Sequence, residues 1–422
     1  MKKQKINNLN LDLYEEILEN GLLVYICPMK KNNIHASLAT RYGSDILDFK
    51  PRFKDELITI PEGTAHFLEH KMFVTEDGSD SMVLYSNNGA SSNAYTTSNV
   101  TRYYFTGASH FYENLKILLD CLTTALFTKE NIEKEIGIIT QEINSGLSDP
   151  GQRIYYLANK NLFVNHPRKY SVAGTEKSIK QLTKETLYDC FETFYNPSNM
   201  YLVITGNVNP DQTIKFVKEY FKNKPNKNKD KIEIKKYDEP EYVNKKQSTE
   251  TMDVVGKYLT IAYKIKQNKE SNRFKENMYL LIYLDSLFSE ISQMYSDNHK
   301  DKNILNDLEY FTEEIDGYFL IYFFIEVENK TNILNKINKK LNEKKLSKED
   351  FDLIVKNVLK AALLSTENIE SMANLIVNYE LVYGKFYPNF YEILKTLDYE
   401  EYKEFITNLD LSNYVKGIIE NK

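Results

Sequence analysis

The sequence predicts an α+β fold of two similar domains, each a mostly antiparallel sheet covered by helices. Three observations lead to that reading. The chain has 422 residues, too many for one ordinary core and suited to two domains of about 200 residues each. Segments rich in β-branched and aromatic residues, bounded by turn residues, are interspersed with segments whose apolar side chains recur every three or four positions. The order strand, helix, hairpin, helices in the second half echoes the first, as an internal duplication would. This places a first domain over residues 1–222, a linker over 223–245 and a second domain over 246–422.

Residues 11–19, 22–28 and 34–42 read as three strands joined by tight turns. A loop over 43–60, carrying Pro51, leads to a helix that starts at Gly63 and Thr64, with Thr64 a candidate N-cap. Residues 79–88 read as a short helix closed by Gly89. A hairpin follows, its first strand (89–97) polar and small, its second (100–106) β-branched and aromatic. Phe111, Leu115, Leu118, Leu119 and Leu122 give 110–127 a helical spacing, and Ile132, Ile136, Ile139 and Ile143 do the same for 129–147. Helices over 152–163 and 183–195, a strand over 200–206 and a helix over 210–221 complete this half. The Lys/Asn-rich run 222–231 reads as solvated linker. In the second half strands are expected over 254–264, 308–314 and 318–327. Helices are expected over 277–295, 330–343, 347–364, 368–383, 390–394 and 399–409.

Hydrophobic residues make up 42% of the chain and charged residues 27%, ordinary proportions for a soluble globular protein. A net charge of −6 without a large basic block argues against a nucleic-acid partner. No segment approaches the ~20 apolar residues of a membrane span, and the basic start Met1-Lys2-Lys3-Gln4-Lys5 is not followed by an apolar signal core. Cys27, Cys121 and Cys190 are scattered and odd in number, which points to a reducing compartment. The expectation is a cytoplasmic protein.

The chemistry concentrates at His66-Phe67-Leu68-Glu69-His70. On a helix, His66, Glu69, His70 and Phe73 share one face, while Ala65, Leu68 and Met72 take the packed one. Two imidazoles one turn apart can both reach a zinc ion, and the carboxylate beside them can handle a proton. A third protein ligand is still needed. Glu135 and Glu142, two turns apart on one face of the 129–147 helix, are the candidates. Where the first half has His66 to His70, the second has Tyr279-Leu280-Leu281-Ile282-Tyr283-Leu284, so its domain is expected to be metal-free. The polar strand of the hairpin is a candidate sheet edge, able to accept a peptide as an added strand.

Taken together, Pro61 to Phe73, Gly89-Ala90-Ser91-Ser92-Asn93-Ala94-Tyr95-Thr96, Glu133 to Glu135, Gln141 to Ile143, His166-Pro167, Gly174-Thr175, Phe194 to Met200 and Gly206 to Val208 carry a resemblance. The chain resembles the pitrilysin/insulysin/mitochondrial processing peptidase family of inverzincin metallopeptidases, and its short bacterial YmfH-like members in particular. The resemblance implies half of a clamshell-type peptidase with a zinc cofactor. It implies His66, His70 and Glu142 as zinc ligands, Glu69 as general base and Glu135 as the carboxylate that helps orient the site. Asn93, Ala94, Tyr95 and Thr96 would lie along the bound substrate. The implied activity is zinc-dependent endopeptidase cleavage of short or unfolded peptides in an enclosed chamber, with leader-peptide removal or peptide maturation as a narrower form. The alternative is a subunit of a two-chain peptidase with little activity alone. Many members carry an Arg and a Tyr seven residues apart in the second half. Here Arg273 precedes the expected stretch, 292–318, which has no Arg. A partner chain is therefore expected, in a homodimer or in a heterodimer whose related chain supplies that pair.

Overall fold

The computed structural model describes residues 1–6, 9–73, 79–222, 224, 231–268, 272–329, 332–345 and 347–421. Contacts divide the chain into two compact units. One comprises Met1–Ile143, Ser171–Lys236 and Ala362–Phe390; the other comprises Asn144–Tyr170, Tyr237–Ala361 and Tyr391–Lys422. The contiguous division 1–222, 223–245, 246–422 is therefore not the one the contacts make. The reason is an exchange of helices. Pro150–Leu162 buries Ile154, Leu157, Ala158 and Leu162 among residues of the second unit's sheet. Ile369–Tyr383 lies on the first unit's sheet, where Thr205 Oγ1 donates to the Ile369 carbonyl at 2.7 Å. Most of the Lys/Asn run, at 223 and 225–230, lies outside the described residues.

The first unit is built on seven strands in the order Lys2–Ile6, Leu11–Ile17, Leu23–Pro28, Met200–Gly206, Ile34–Thr40, Thr101–Gly107, Ala90–Thr96. Neighbours are antiparallel except Leu23–Pro28 and Met200–Gly206, which run parallel. Side chains alternate between the faces. Val24, Ile26, Ala36, Leu38, Leu202 and Ile204 share one core with residues of the helices Thr64–Lys71, Phe111–Thr123, Lys129–Leu147 and Lys184–Phe194. The opposite face carries Tyr25, His35 and Thr205 toward Ile369–Tyr383. Ala90–Thr96 ends the sheet, its outer side unpaired among the described residues.

The second unit has five strands, Gln247–Met252, Tyr414–Asn421, Lys257–Lys266, Tyr318–Val327 and Glu309–Ile315, again antiparallel but for one pair. The helix expected over 277–295 is two helices, Arg273–Phe288 and Gln293–Lys300. The break is local chemistry: Ser292 Oγ accepts from the Tyr295 N–H at 3.1 Å and starts the second helix as its N-cap. The α+β class and the mostly antiparallel sheets are as expected.

Candidate metal centre

The helix Thr64–Lys71 begins at Gly63, whose φ of 88° is left-handed. Thr64 does not cap it. Its hydroxyl donates to the Pro61 carbonyl at 2.6 Å instead. A Cβ on Gly63 would meet the Ala173 carbonyl oxygen at 2.5 Å, and one on Gly174 would meet that of Glu62 at 2.4 Å. Two glycines thus let the 171–174 segment cross the start of the helix at backbone contact, which fixes where the helix points. Ala65, Phe67, Leu68 and Met72 enter the core. His66 and His70 are left facing the helix Lys129–Leu147, with Glu69 beside them against Thr96.

That helix brings Glu142 to both histidines. A Glu142 carboxylate oxygen lies 3.8 Å from His66 Nε2 and 3.4 Å from His70 Nε2. All three donor atoms fall within 4.8 Å of one another, and no other three His, Cys, Asp or Glu side chains among the described residues form such a group. Ligands held at ~2.1 Å by a tetrahedral zinc sit about 3.4 Å apart, so the spacing fits. Charge fits as well. Three carboxylates, Glu69, Glu135 and Glu142, stand against one lysine, Lys71, an excess of anionic groups that a divalent cation would balance.

His70, Glu135 and Glu69 are held from outside, while His66 Nδ1 is buried without a partner. His70 Nδ1 is 3.0 Å from Glu135 Oε1, and Glu135 Oε2 is 3.3 Å from Lys71 Nζ. With its Nδ1–H given to Glu135, His70 keeps the lone pair of Nε2 toward Glu142. Burial opposes charge on Glu135, but the His70 hydrogen bond and Lys71 outweigh it and lower its pKa. Burial likewise opposes charge on His70, but the Glu135 hydrogen bond and the three carboxylates raise its pKa. His66 is pushed down to about 4, by burial first and by His70 second, so its ring is neutral at pH 7. Glu69 is only 8% exposed. Burial raises its pKa against the Thr96 hydroxyl, which donates to Oε2 at 2.6 Å.

The hairpin strand Ala90–Thr96 reaches the centre through that Thr96 contact. Thr97 N–H donates to the Val100 carbonyl at 2.8 Å, within the hairpin. By alternation, Ser92, Ala94 and Thr96 turn their main-chain groups to the open edge. The Ala94 N–H is covered by its neighbour's side chain, bonding to Asn93 Oδ1 at 2.8 Å. Tyr95 lies on the other face, against Arg102. Asn93 to Thr96 are thus a mixed set: one side chain on Glu69, one on a main-chain donor, one on a guanidinium. Arg273, at the start of its helix, is bound to Glu314.

Sequence reasoning missed Lys71 and Arg102. Lys71 directly follows the histidine motif and is 5% exposed; a lysine between Phe67 and Leu68 on the packed side of the helix was a signal that it had a carboxylate to meet.

The family model for insulinase (peptidase family M16) matches residues 60–176, which include both histidines, Glu69, Glu135 and Glu142. The model for the peptidase M16 inactive domain matches residues 181–358. The Bacillus subtilis protein named uncharacterized zinc protease YmfH is 39% identical over 300 residues, 70% of this chain and 69% of that protein. Among solved structures, a protein of Alicyclobacillus acidocaldarius described as M16-like is 27% identical, with a TM-score of 0.92 over 98% of this chain and 99% of that one. The periplasmic protease PqqL from Escherichia coli is 17% identical with a TM-score of 0.74; all of this chain matches 48% of that one. This last likeness is one of fold, and it is a likeness to half of a longer chain.

Proposed function

Because the chain belongs to the insulinase family, peptidase family M16, we propose that it is a zinc-dependent endopeptidase acting on short or unfolded peptides. One observation carries the reading: a nitrogen each of His66 and His70 and a Glu142 oxygen converge within 4.8 Å beside the buried carboxylate of Glu69. His66, His70 and Glu142 would hold the zinc, and Glu135 orients His70. Bound there, zinc supplies Lewis acidity toward a water and a peptide carbonyl. Glu69 takes the proton of the attacking water on its carboxylate and returns it to the leaving amine. Its raised pKa brings both transfers closer to neutral pH, and Thr96 keeps the carboxylate in one orientation.

The peptide adds as a strand along Ala90–Thr96, on the main-chain groups of Ser92, Ala94 and Thr96. Asn93 covers the Ala94 N–H until an incoming strand displaces it. Tyr95 meets a side chain of that strand on the face away from Glu69. Two chains, alike or unlike, enclose the chamber, and an unlike partner supplies the Arg/Tyr pair this chain lacks; the commitment of Arg273 to Glu314 and the match to half of PqqL support that part. Leader-peptide removal or peptide maturation is the narrower form. The buried, free thiols Cys27, Cys121 and Cys190 support a cytoplasmic setting. A subunit with little activity of its own is not favoured, since ligands and base are present together.

The test uses the purified chain and its Glu69→Gln variant, with zinc measured by mass spectrometry and hydrolysis by internally quenched peptides. The expected result is about one zinc per chain in both proteins and cleavage by the wild type alone. Protein that takes up no zinc, or a variant as active as the wild type, would sink the reading.

A further inference from the structure

On the sheet face that Ile369–Tyr383 covers, Arg102 is 2% exposed. It forms no ion pair with a carboxylate among the described residues. Nη1 donates to Tyr95 Oη at 3.3 Å and to Asn374 Oδ1. Nη2 donates to His35 Nε2 at 3.0 Å, while Nε is buried without a partner. The guanidinium also lies 5.9 Å from the Tyr95 ring centre and 5.3 Å from that of Tyr104. His35 offers no charge in return. Its Nδ1 is 2.9 Å from Thr106 Oγ1, and burial with the Arg102 charge pushes its pKa down to about 3. The nearby carboxylates are engaged elsewhere: Glu370 with Thr106, and Glu380 with Arg41 and Tyr25.

A buried charge surrounded by neutral partners is costly, and it sits directly behind the strand assigned to substrate. Tyr95 is the link. It is partly exposed on that outermost strand, in register with Arg102. Its oxygen accepts from Arg102, so its own O–H is left to donate, and no acceptor takes it among the described residues.

We propose that Tyr95, backed by Arg102, forms a side-chain subsite for a carboxylate, so that the peptide along Ala90–Thr96 is preferred with an Asp or Glu on the face away from Glu69. This rests on the strand-addition reading above. Arg102 is a positioning residue: it aims the phenol and supplies the positive field, while the phenol touches the ligand. Side chains of an added strand alternate in direction. Acid is therefore favoured at one register position and not throughout the peptide.

The test measures binding in the zinc-loaded Glu69→Gln protein, so that it does not depend on cleavage. The probes are short fluorescein-labelled Ala/Ser peptides through which a single Glu, Gln or Lys is walked. At one position Glu should bind about tenfold tighter than Gln or Lys, the scale of one hydrogen bond to a charged group. Tyr95→Phe or Arg102→Met should erase most of that ratio, and Arg102→Lys should restore part of it. Melting temperature and zinc content are read alongside; if Arg102→Met does not fold, Tyr95→Phe, which removes one oxygen, decides. Equal affinity for the three series at every position, or an undiminished Glu preference in Tyr95→Phe, would overturn the subsite while leaving the peptidase reading standing. Failure of every peptide to bind would overturn strand addition itself, and the subsite with it.

Discussion

Two helices occupy the same place in the order of elements, and they are built oppositely. Thr64–Lys71 in the first unit buries Glu69 and Lys71 and turns two histidines toward a facing glutamate. Arg273–Phe288 in the second unit fills the equivalent slot with Phe274, Tyr279, Leu280, Ile282, Tyr283, Leu284, Leu287 and Phe288, all buried. The second arrangement is what a helix on a sheet adopts when packing alone decides, because each apolar side chain removed from water stabilises the fold. The first gives up part of that gain and gathers like-charged carboxylates, which repel. A slot so costly to fill with polar groups is informative: Lys71 and Thr96 offset part of the cost, and the proposed zinc would offset more, so the polar helix points to chemistry and the apolar one to architecture.

The comparison breaks most visibly at Glu69. Glu69→Gln keeps the shape of the helix and removes only the proton acceptor, so kcat/KM should fall by about 10³-fold or more with zinc content unchanged. Undiminished turnover would mean that the polar slot is not there for proton transfer. Next in size is the division of labour on the facing helix. Glu142→Gln should cut zinc affinity by more than Glu135→Gln, for which the loss expected of an orienting partner is about 10–100-fold. Competition with a chromophoric chelator reads both, and the reverse order would exchange their roles.

The apolar helix makes the opposite prediction. Leu284→Ala leaves a cavity in the second core and should cost about 3 kcal/mol of stability, read from a denaturant midpoint, with no change in zinc affinity. A large drop in zinc affinity from that substitution would tie the two slots together and undo the contrast.

Much of this was legible in the sequence because the signals are local. The histidine spacing fixes a helix face by itself, and the isoleucine stripe gives Lys129–Leu147 with both bounds right. The strands Met200–Gly206 and Tyr318–Val327 were equally plain, being continuous apolar runs. What escaped is non-local. Tyr414–Asn421 pairs between two strands, yet Gly417 stands at one of its buried positions and hides the alternation. Lys2–Ile6 is an edge strand of mostly polar residues. The exchange of Pro150–Leu162 and Ile369–Tyr383 between units leaves no mark in sequence order, since an apolar stripe does not say which sheet it covers. The hydroxyl of Thr96 on Glu69 and the guanidinium of Arg102 behind Tyr95 depend on how strands register, which no spacing rule supplies.

The smallest effect concerns the polar face of the first sheet, which the second unit does not reproduce: there the buried cation of the central strand, Lys264, is paired with Glu239 at 2.6 Å. In the first sheet His35 stays neutral, its pKa pushed from 6.5 to about 3 by burial and by Arg102. Between those values the unfolded chain binds a proton that the folded chain refuses. Stability therefore rises with pH across this window, and falls as pH drops below about 6.5. From pH 7 to pH 5 the loss from this one group is about 2 kcal/mol. His35→Gln removes the titration, so the stability of the wild type relative to the variant should shrink by that amount over the same interval; other acid-sensitive groups cancel in the difference. If denaturant midpoints of the two proteins instead run parallel from pH 7 to pH 5, the imidazole takes up its proton in the folded state, and the buried guanidinium beside it does not control its charge.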